Sequence, residues 1–200
     1  MLNNYSKIFI CFLIFSTSKM YSQNDLFLRK IDKGIQIPSS LIQCTYVDDT
    51  GFLWIGSKNG LMRFDGYGFI TYRYDPTDKY SLSNNIINCI GQDSLKNLWI
   101  GTENGLNLFD PYNENFIRFF DSEKNENSLS HSLIQTFFLD SEKNFWIGTR
   151  DGLNLLKYSD SDSFIFSSYF PEHDSLISNP NRSVIAIEQI SENELIVSLW

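Results

Sequence analysis

The sequence has few residues of the kinds that mark common catalytic, metal and nucleic-acid sites. It contains two histidines and three cysteines in 200 residues, and they do not stand in the spacing of a four-ligand zinc site. The 16 basic residues are scattered and 24 acidic residues outnumber them, for a net charge of −8. The basic patch of a nucleic-acid-binding protein is therefore missing. Gly-rich phosphate loops and nucleophile elbows are missing too, so we expect no cofactor, no metal and no catalytic residue in this chain.

The N-terminus carries a short apolar run instead of a membrane span. Residues 8–15 are apolar and follow Lys7, and the run is about half as long as the ~20 residues that cross a bilayer. This pattern predicts a cleaved signal peptide over residues 1–22, with an uncleaved anchor or a misread start as the alternatives. The mature chain is then expected in the periplasm or outside the cell. Because Cys11 lies inside the apolar run, it does not mark a lipoprotein.

Long segments with the 3.6-residue period of a helix are also missing, whereas aromatic residues make up 16% of the chain, which favours β-structure. One decapeptide recurs at pitches of 45 and 47 residues, which is typical of propeller blades. Each copy joins two apolar runs through Asn-Gly or Asp-Gly, which predicts a hairpin with a type I′ turn. The repeated residues are Trp54, Gly56 and Gly60, then Trp99, Gly101 and Gly105, then Trp146, Gly148 and Gly152.

Two further positions repeat upstream of each tryptophan. The residue ten positions before it is small and the residue twelve positions before it is β-branched, and a fourth, degraded copy fits if Ile196 takes the tryptophan position. Because these positions are two residues apart, we expect them to share one face of the innermost strand of each blade. The small set is Cys44, Cys89, Thr136 and Ala186, and the β-branched set is Ile42, Ile87, Ile134 and Val184.

An aspartate stands six residues before each tryptophan, as Asp48, Asp93 and Asp140. A catalytic carboxyl needs one special environment rather than one copy in every repeat. The repetition therefore indicates a turn residue whose side chain caps backbone N–H groups. No unique pair of carboxyls suited to glycoside hydrolysis stands out among the other acidic residues.

These patterns predict an all-β fold, a β-propeller of four-stranded antiparallel blades that spans residues 23–200. We expect blades at about 39–75, 84–121 and 131–170, and the start of a fourth at about 183–200, with each tryptophan between blades. An incomplete ring of roughly three and a half blades does not close the common ring of six to eight. We therefore expect the chain to be the front part of a longer protein, with a swapped or oligomeric ring as the alternative.

Three further side chains could have a functional role, because they are unique or chemically reactive. His131 stands where Ser39 and Asn84 stand in the other repeats, in a loop on a propeller face, where ligands usually bind. It is a candidate ligand-binding residue, and a solvated loop histidine is the alternative. Cys44 and Cys89 are expected to be free thiols, because equivalent points of adjacent blades rarely come within the ~7 Å that a disulfide needs.

The repeats resemble those of the two-component regulator propeller family. Residues 51–67, GFLWIGSKNGLMRFDGY, are similar to its opening repeat, and the later Ser-Leu-Ser…Leu-Trp-Ile-Gly-Thr pattern is similar to its standard repeat. The resemblance covers about residues 26–157 well and the remainder weakly, because the fourth copy lacks the tryptophan and the aspartate. Signatures of the WD and kelch propellers are missing.

The resemblance implies the N-terminal periplasmic sensor region of a hybrid or ordinary sensor histidine kinase of Bacteroidota. Several members of that family sense oligosaccharides, and a membrane helix and a kinase follow the propellers. The expected function is a ligand-sensing module that is not itself an enzyme, whose partners are an oligosaccharide, further blades and downstream signalling domains. The expected parent is anchored in the inner membrane through a helix beyond this chain. A secreted polysaccharide-active enzyme or an interaction scaffold is the alternative.

Overall fold

The protein folds into four antiparallel sheets that follow one another along the chain. The computed structural model describes residues 41–159, 163–170, 182–192 and 194–200, and within those residues every regular element is a strand. The first three sheets have four strands each, and the fourth is a two-stranded hairpin. The predicted all-β class with four-stranded antiparallel blades is confirmed. The expected signal peptide at residues 1–22 lies outside the described residues.

Each four-stranded sheet is a simple meander in which neighbours in sequence pair with each other. Blade 1 contains β1 (Ile42–Val47), β2 (Leu53–Ser57), β3 (Gly60–Phe64) and β4 (Phe69–Tyr72). Blade 2 contains β5 (Ile87–Gln92), β6 (Leu98–Thr102), β7 (Gly105–Asp110) and β8 (Asn115–Phe119). Blade 3 contains β9 (Ile134–Leu139), β10 (Phe145–Thr149), β11 (Gly152–Tyr158) and β12 (Phe164–Tyr169). Hairpin 4 contains β13 (Val184–Ser191) and β14 (Glu194–Leu199).

The innermost strands β1, β5, β9 and β13 lie side by side, and a repeated glycine allows this close approach. A Cβ atom placed on Gly56 would lie 2.5 Å from Cys44 Sγ in the same blade and 2.7 Å from Ile87 Cγ2 in the next blade. Gly101 and Gly148 are enclosed in the same way. The glycine and the small side chain therefore repeat because a larger residue at either position would push adjacent blades apart.

The small and β-branched positions do not share one face, so that prediction is wrong. Ile87 packs into the hydrophobic core between blades 1 and 2, whereas Cys89 packs against the core between blades 2 and 3. The pairing of β5 with β6 shifts register between these two residues. An irregularity of this kind reverses the alternation of side chains along a strand, and the innermost strand of each other sheet has the same shift.

The hairpin turns also differ from the predicted type I′ geometry. That geometry needs positive φ at both central residues, but Lys58 and Asn59, which connect β2 to β3, are not among the described non-glycine residues with positive φ. Gly60, which follows them, has a φ of +109°, and Gly105 and Gly152 have +114° and +102°. Glycine is therefore required directly after the two-residue turn rather than within it, where it pairs with the last residue of the preceding strand.

The tryptophans lie between blades, as predicted. Trp54 of blade 1 is 1% exposed, and its ring centroid is 5.0 Å from that of Phe109 in blade 2. Trp99 of blade 2 is fully buried and lies 5.3 Å from the ring of Phe164 in blade 3. The core of this protein is thus a series of layers, each shared by two blades.

Hairpin 4 continues the repeat in register. Ala186 pairs with Ser198, and Glu188 pairs with Ile196. In each of the three blades the small residue pairs with the repeated glycine, and the residue two positions later pairs with the tryptophan. The expectation that Ile196 takes the tryptophan position is therefore confirmed.

Candidate functional site

The repeated aspartate accepts a hydrogen bond from the tryptophan of its own blade. In blade 1 the Oδ1 atom of Asp48 accepts the backbone N–H groups of Thr50 and Phe52, both at 3.0 Å, which is the turn cap that the sequence indicates. Its Oδ2 atom accepts the indole Nε1–H of Trp54 at 2.7 Å. This second bond is not among the features predicted from the sequence, although the constant spacing of six residues is its signal.

The other two repeats have the same pair of bonds. The Nε1–Oδ2 distance is 2.7 Å between Trp99 and Asp93 and 2.8 Å between Trp146 and Asp140. Burial alone would raise the pKa of Asp140, but hydrogen bonds from Trp146 and Asn144 outweigh it and hold the pKa below its ordinary value. The pKa of Asp48 is lowered in the same way, against the effect of burial, by bonds from Thr50 and Trp54. The hydrogen bonds therefore favour the charged form of the Asp48 and Asp140 carboxylates in the folded protein.

A cavity of about 260 Å³ lies at the interface of blades 1 and 2, above the Trp54 indole. The turn that contains Asp48 and Asp49 forms one rim, and the end of β5 with the turn after it forms the opposite rim. The polar lining residues are Asp48, Asp49, Thr50, Arg63, Gln92, Lys96 and Asn97. The apolar lining residues are Phe52, Trp54, Leu98, Phe109 and Pro111.

Arg63 supplies a partly satisfied guanidinium group to this cavity. Its Nη2 atom lies 2.6 Å from Glu114 Oε1 of blade 2, and the side chain is only 13% exposed. The guanidinium carbon is 5.0 Å from the ring centroid of Phe52 and 5.7 Å from that of Trp54. The Nε atom is buried without a hydrogen-bond partner. A buried donor that is left unpaired costs free energy, so Arg63 is the polar group of the cavity that is least satisfied within the protein.

Gln92 connects the two rims. Its Oε1 atom accepts the backbone N–H of Asp49 at 2.9 Å, while its Nε2 atom donates to Asp49 Oδ1 and to the carbonyl of Lys96, both at 2.8 Å. Gln92 is 8% exposed. Because one buried side chain bonds both blades, the width of the cavity mouth is fixed by the fold.

The corresponding place between blades 2 and 3 is occupied by a tyrosine. Tyr158, at the end of β11, stands where Pro111 stands after β7, and its hydroxyl donates to Asp93, the equivalent of Asp48. It also accepts a bond from Asn97 Nδ2 at 3.0 Å. Burial, and then the bond to Asp93, raise the pKa of the Tyr158 phenol. The short side chain of Pro111 therefore leaves open the space that Tyr158 takes at the next interface.

A second cavity, of about 360 Å³, lies between blade 3 and hairpin 4. Its lining includes Asp140 and Trp146 and three glutamates, Glu142, Glu192 and Glu194. Within the described ranges, no group of three or more His, Cys, Asp or Glu side chains has the geometry to hold a metal ion.

His131 does not line either of these cavities. Its Nδ1 atom accepts the backbone N–H of Leu133 at 2.9 Å, and Asn84 of the previous repeat accepts the N–H of Ile86 through Oδ1 at 2.8 Å. The histidine thus has the local turn-capping role of the residue that it replaces. Its role in ligand binding stays a prediction.

Cys44 and Cys89 are both free thiols, as predicted. Burial raises the pKa of Cys44 to about 11 and that of Cys89 well above its ordinary value. Both are therefore neutral packing residues beside the repeated glycines. In the part of the chain that the structure covers, no helix has the length and apolar character to span a membrane.

A comparison with protein families matches two of the repeats described above. The family described as two component regulator propeller matches residues 81–104 and 128–151, which are parts of two successive repeats. A comparison with curated protein sequences finds no match.

The fold is similar to solved propeller structures. Virginiamycin B lyase from Staphylococcus aureus, in its inactive H270A form with quinupristin, is 13% identical with a TM-score of 0.53, and the match covers 81% of this chain and 50% of that one. The selenomethionine form of the same lyase is 12% identical with a TM-score of 0.52, covering 82% and 50%. At such identities the likeness shows the fold alone.

A third similar structure is the extracellular domain assigned to the hybrid two component system BT3049 from B. thetaiotaomicron. It is 19% identical with a TM-score of 0.44, and the match covers 86% of this chain. The chain spans 34% of the length of that domain.

Proposed function

We propose that this chain, which carries repeats of the two component regulator propeller family, is a ligand-sensing module located outside the cytoplasm. The observation that supports this proposal is the cavity between blades 1 and 2, which has an aromatic floor and lining groups of both charges. Concave sites of this composition, placed where two repeated units meet, are typical of small-ligand binding. We propose that the ligand is an oligosaccharide or a similar molecule.

Binding without turnover is the activity that we propose for this chain. A glycosidase needs a carboxyl whose pKa is raised so that it can act as an acid. The Asp48 carboxylate beside the cavity has a lowered pKa because it accepts bonds from Trp54 and the turn, which outweigh burial. It is therefore a poor proton donor near neutral pH. No cofactor enters the proposal.

The proposed partners are an oligosaccharide, further blades and signalling domains of a longer two-component protein. Ligand binding between blades would shift the equilibrium of the domains that follow, in proportion to its preference for one state. We propose that membrane attachment comes through a helix outside this chain. The net charge of −8 gives no support to a nucleic-acid partner.

The proposal is tested by titrating the purified chain with oligosaccharide mixtures from digested polysaccharides, using calorimetry for binding and chromatography for products. We expect saturable binding with an unchanged mixture after prolonged incubation. Appearance of shorter products would overturn the sensing proposal in favour of a polysaccharide-active enzyme. Failure of every mixture to bind would leave an interaction scaffold as the better account.

A further inference from the structure

We propose that the cavity between blades 1 and 2 binds one neutral, polyhydroxylated ring, such as a single uncharged sugar residue, rather than an anionic one. This inference rests on the proposed sensing function and adds to it the place and the charge of the ligand. The proposal depends on the size of the cavity, the charges around it and the free hydrogen-bonding groups of its lining.

The cavity is too small for a chain of sugars. Its volume of about 260 Å³ lies below the range of about 300–1,000 Å³ that is usual for drug-sized ligands. One six-membered ring with its hydroxyl groups fills a space of that size, and the rest of a longer molecule would have to extend through the mouth toward Asp49 and Lys96, which are exposed.

The charges around the cavity balance each other. Two cations, Arg63 and Lys96, and two carboxylates, Asp48 and Asp49, line it. Arg63 is already paired with Glu114 at 2.6 Å, so its positive charge is largely compensated. An anionic ligand would therefore lose hydration without meeting a net positive site. A neutral ligand avoids this cost.

The free hydrogen-bonding groups match hydroxyl groups, which both donate and accept. Arg63 bonds only to Glu114 among the described residues, through Nη2, and retains donors on its other nitrogens. Asp49 uses Oδ1 to accept from Gln92, while its other carboxylate oxygen has no partner among the described residues. The lining of the cavity thus offers both donors, from Arg63, and an acceptor, from Asp49.

Aromatic rings supply the apolar part of the site. Trp54 and Phe109 pack edge to face with ring centroids 5.0 Å apart and form the floor, and Pro111 forms a wall. The C–H groups of a sugar ring are apolar and can contact the edge of this surface that stays exposed, mainly at Phe109, which is 7% exposed. At the next interface the Tyr158 hydroxyl is bonded to Asp93, so the same site is closed there.

The experiment uses the full chain and three neutral probes of one size that differ in the configuration of their hydroxyl groups, methyl glucoside, methyl galactoside and methyl mannoside, with glucuronate as the anionic counterpart. Binding is followed by saturation-transfer NMR and by tryptophan fluorescence. Pro111→Tyr introduces at the first interface the residue that closes the second. Tyr112→Ser changes the adjacent, 96% exposed residue and is the matched control. Arg63→Lys, which keeps the charge but loses the planar set of donors, is the second variant, and a thermal melt checks that each variant is folded.

We expect at least one neutral glycoside to bind the unchanged chain and the Tyr112→Ser variant equally. It should bind Pro111→Tyr about tenfold or more weakly, because the new side chain occupies the site, and Arg63→Lys several-fold more weakly. Glucuronate should bind more weakly than the neutral probes. Unchanged affinity in both Pro111→Tyr and Arg63→Lys would place binding elsewhere. Tighter binding of glucuronate would overturn the inferred neutrality. If oligosaccharides bind but no single-ring probe does, the one-ring inference fails while the sensing proposal stands.

Discussion

The interface between blades 1 and 2 and the interface between blades 2 and 3 are built from the same repeated residues. Each has a buried indole bonded to an aspartate at 2.7 Å and a glycine enclosed by the next blade. They differ at several unrepeated positions, and one of these is Pro111 in the first interface against Tyr158 in the second. The comparison shows that the repeat sets the distance between blades, while unrepeated side chains decide whether the space above the tryptophan is filled.

The two interfaces also differ in how their blades are tied together. Gln92 of blade 2 forms hydrogen bonds with Asp49 in the turn of blade 1. Leu139, its equivalent in blade 3, is apolar and 40% exposed. At the second interface Tyr158 makes the polar connection instead, by its bond to Asp93. A polar link between blades is thus present at both places but is supplied by different elements.

Truncation of a tryptophan should have the largest effect at either interface. Trp99→Ala removes a fully buried indole and one of the donors to the Asp93 carboxylate, so we expect the free energy of unfolding to fall by about 3–5 kcal/mol. Chemical denaturation followed by circular dichroism measures it. Trp200→Ala, at an 81% exposed residue, is the control. A loss no larger than the control's would contradict the position of Trp99 between blades.

Substitution of the enclosed glycine should have the next largest effect on the free energy of unfolding. A Cβ on Gly101 would lie 2.5 Å from Cys89 Sγ and 2.6 Å from Ile134 Cγ2. We expect Gly101→Ala to cost about 1–3 kcal/mol of unfolding free energy, since the core must shift to admit a methyl group. Gly68→Ala is the matched control, because a Cβ there meets nothing within 4 Å. Equal stability of the two variants would show that the blades are not in close contact.

Removal of one hydroxyl tests the link at the second interface. Tyr158→Phe deletes the bond to Asp93 while keeping the ring beside Phe164, whose centroid is 5.6 Å away. We expect a loss of about 1–2 kcal/mol, as for other bonds to charged groups. Tyr112→Phe, at an exposed tyrosine, should change nothing. If both variants melt at the same temperature as the unchanged chain, the Tyr158 bond does not contribute to stability.

The hydrogen bonds of the repeated aspartates predict that the stability of the fold depends modestly on pH. The pKa values of Asp48 and Asp140 are lowered in the folded state, because their hydrogen bonds outweigh burial. Each carboxylate therefore adds stability above its unfolded pKa of about 4, and this is lost as pH falls through the lower folded pKa. We expect the melting temperature to decline below about pH 4, less steeply in Asp48→Asn. A melting temperature that rises on acidification would contradict the caps.

How much of this arrangement the sequence could predict depends on whether a feature repeats. Trp99, Gly101 and Asp93 could be identified by counting, because each fills the same place in every blade. The register shift between Ile87 and Cys89 could not, since counting by two assumes an unbroken strand. The position of the positive φ could not be predicted either, because the dipeptide signal does not tell whether the glycine lies within the turn or directly after it.

The candidate site was missed for a related reason. Arg63 and Pro111 are 48 positions apart in sequence, belong to different blades and have no counterpart in every repeat. Only the stacking of the blades brings them together with Asp49. His131 was selected because it is unique, but a unique residue at a turn-capping position can simply be another capping residue.

Hydrogen exchange of the indole N–H groups tests most directly the claim that the blades shield their tryptophans and that Tyr158 closes the second interface. Trp99 and Trp54 donate their N–H to buried or half-buried aspartates, whereas Trp200 is exposed. When exchange is measured by NMR, we expect the indole N–H of Trp200 to exchange fastest, that of Trp54 beside the cavity more slowly, and that of Trp99 slowest. Exchange of Trp99 as fast as that of Trp200 would contradict the account.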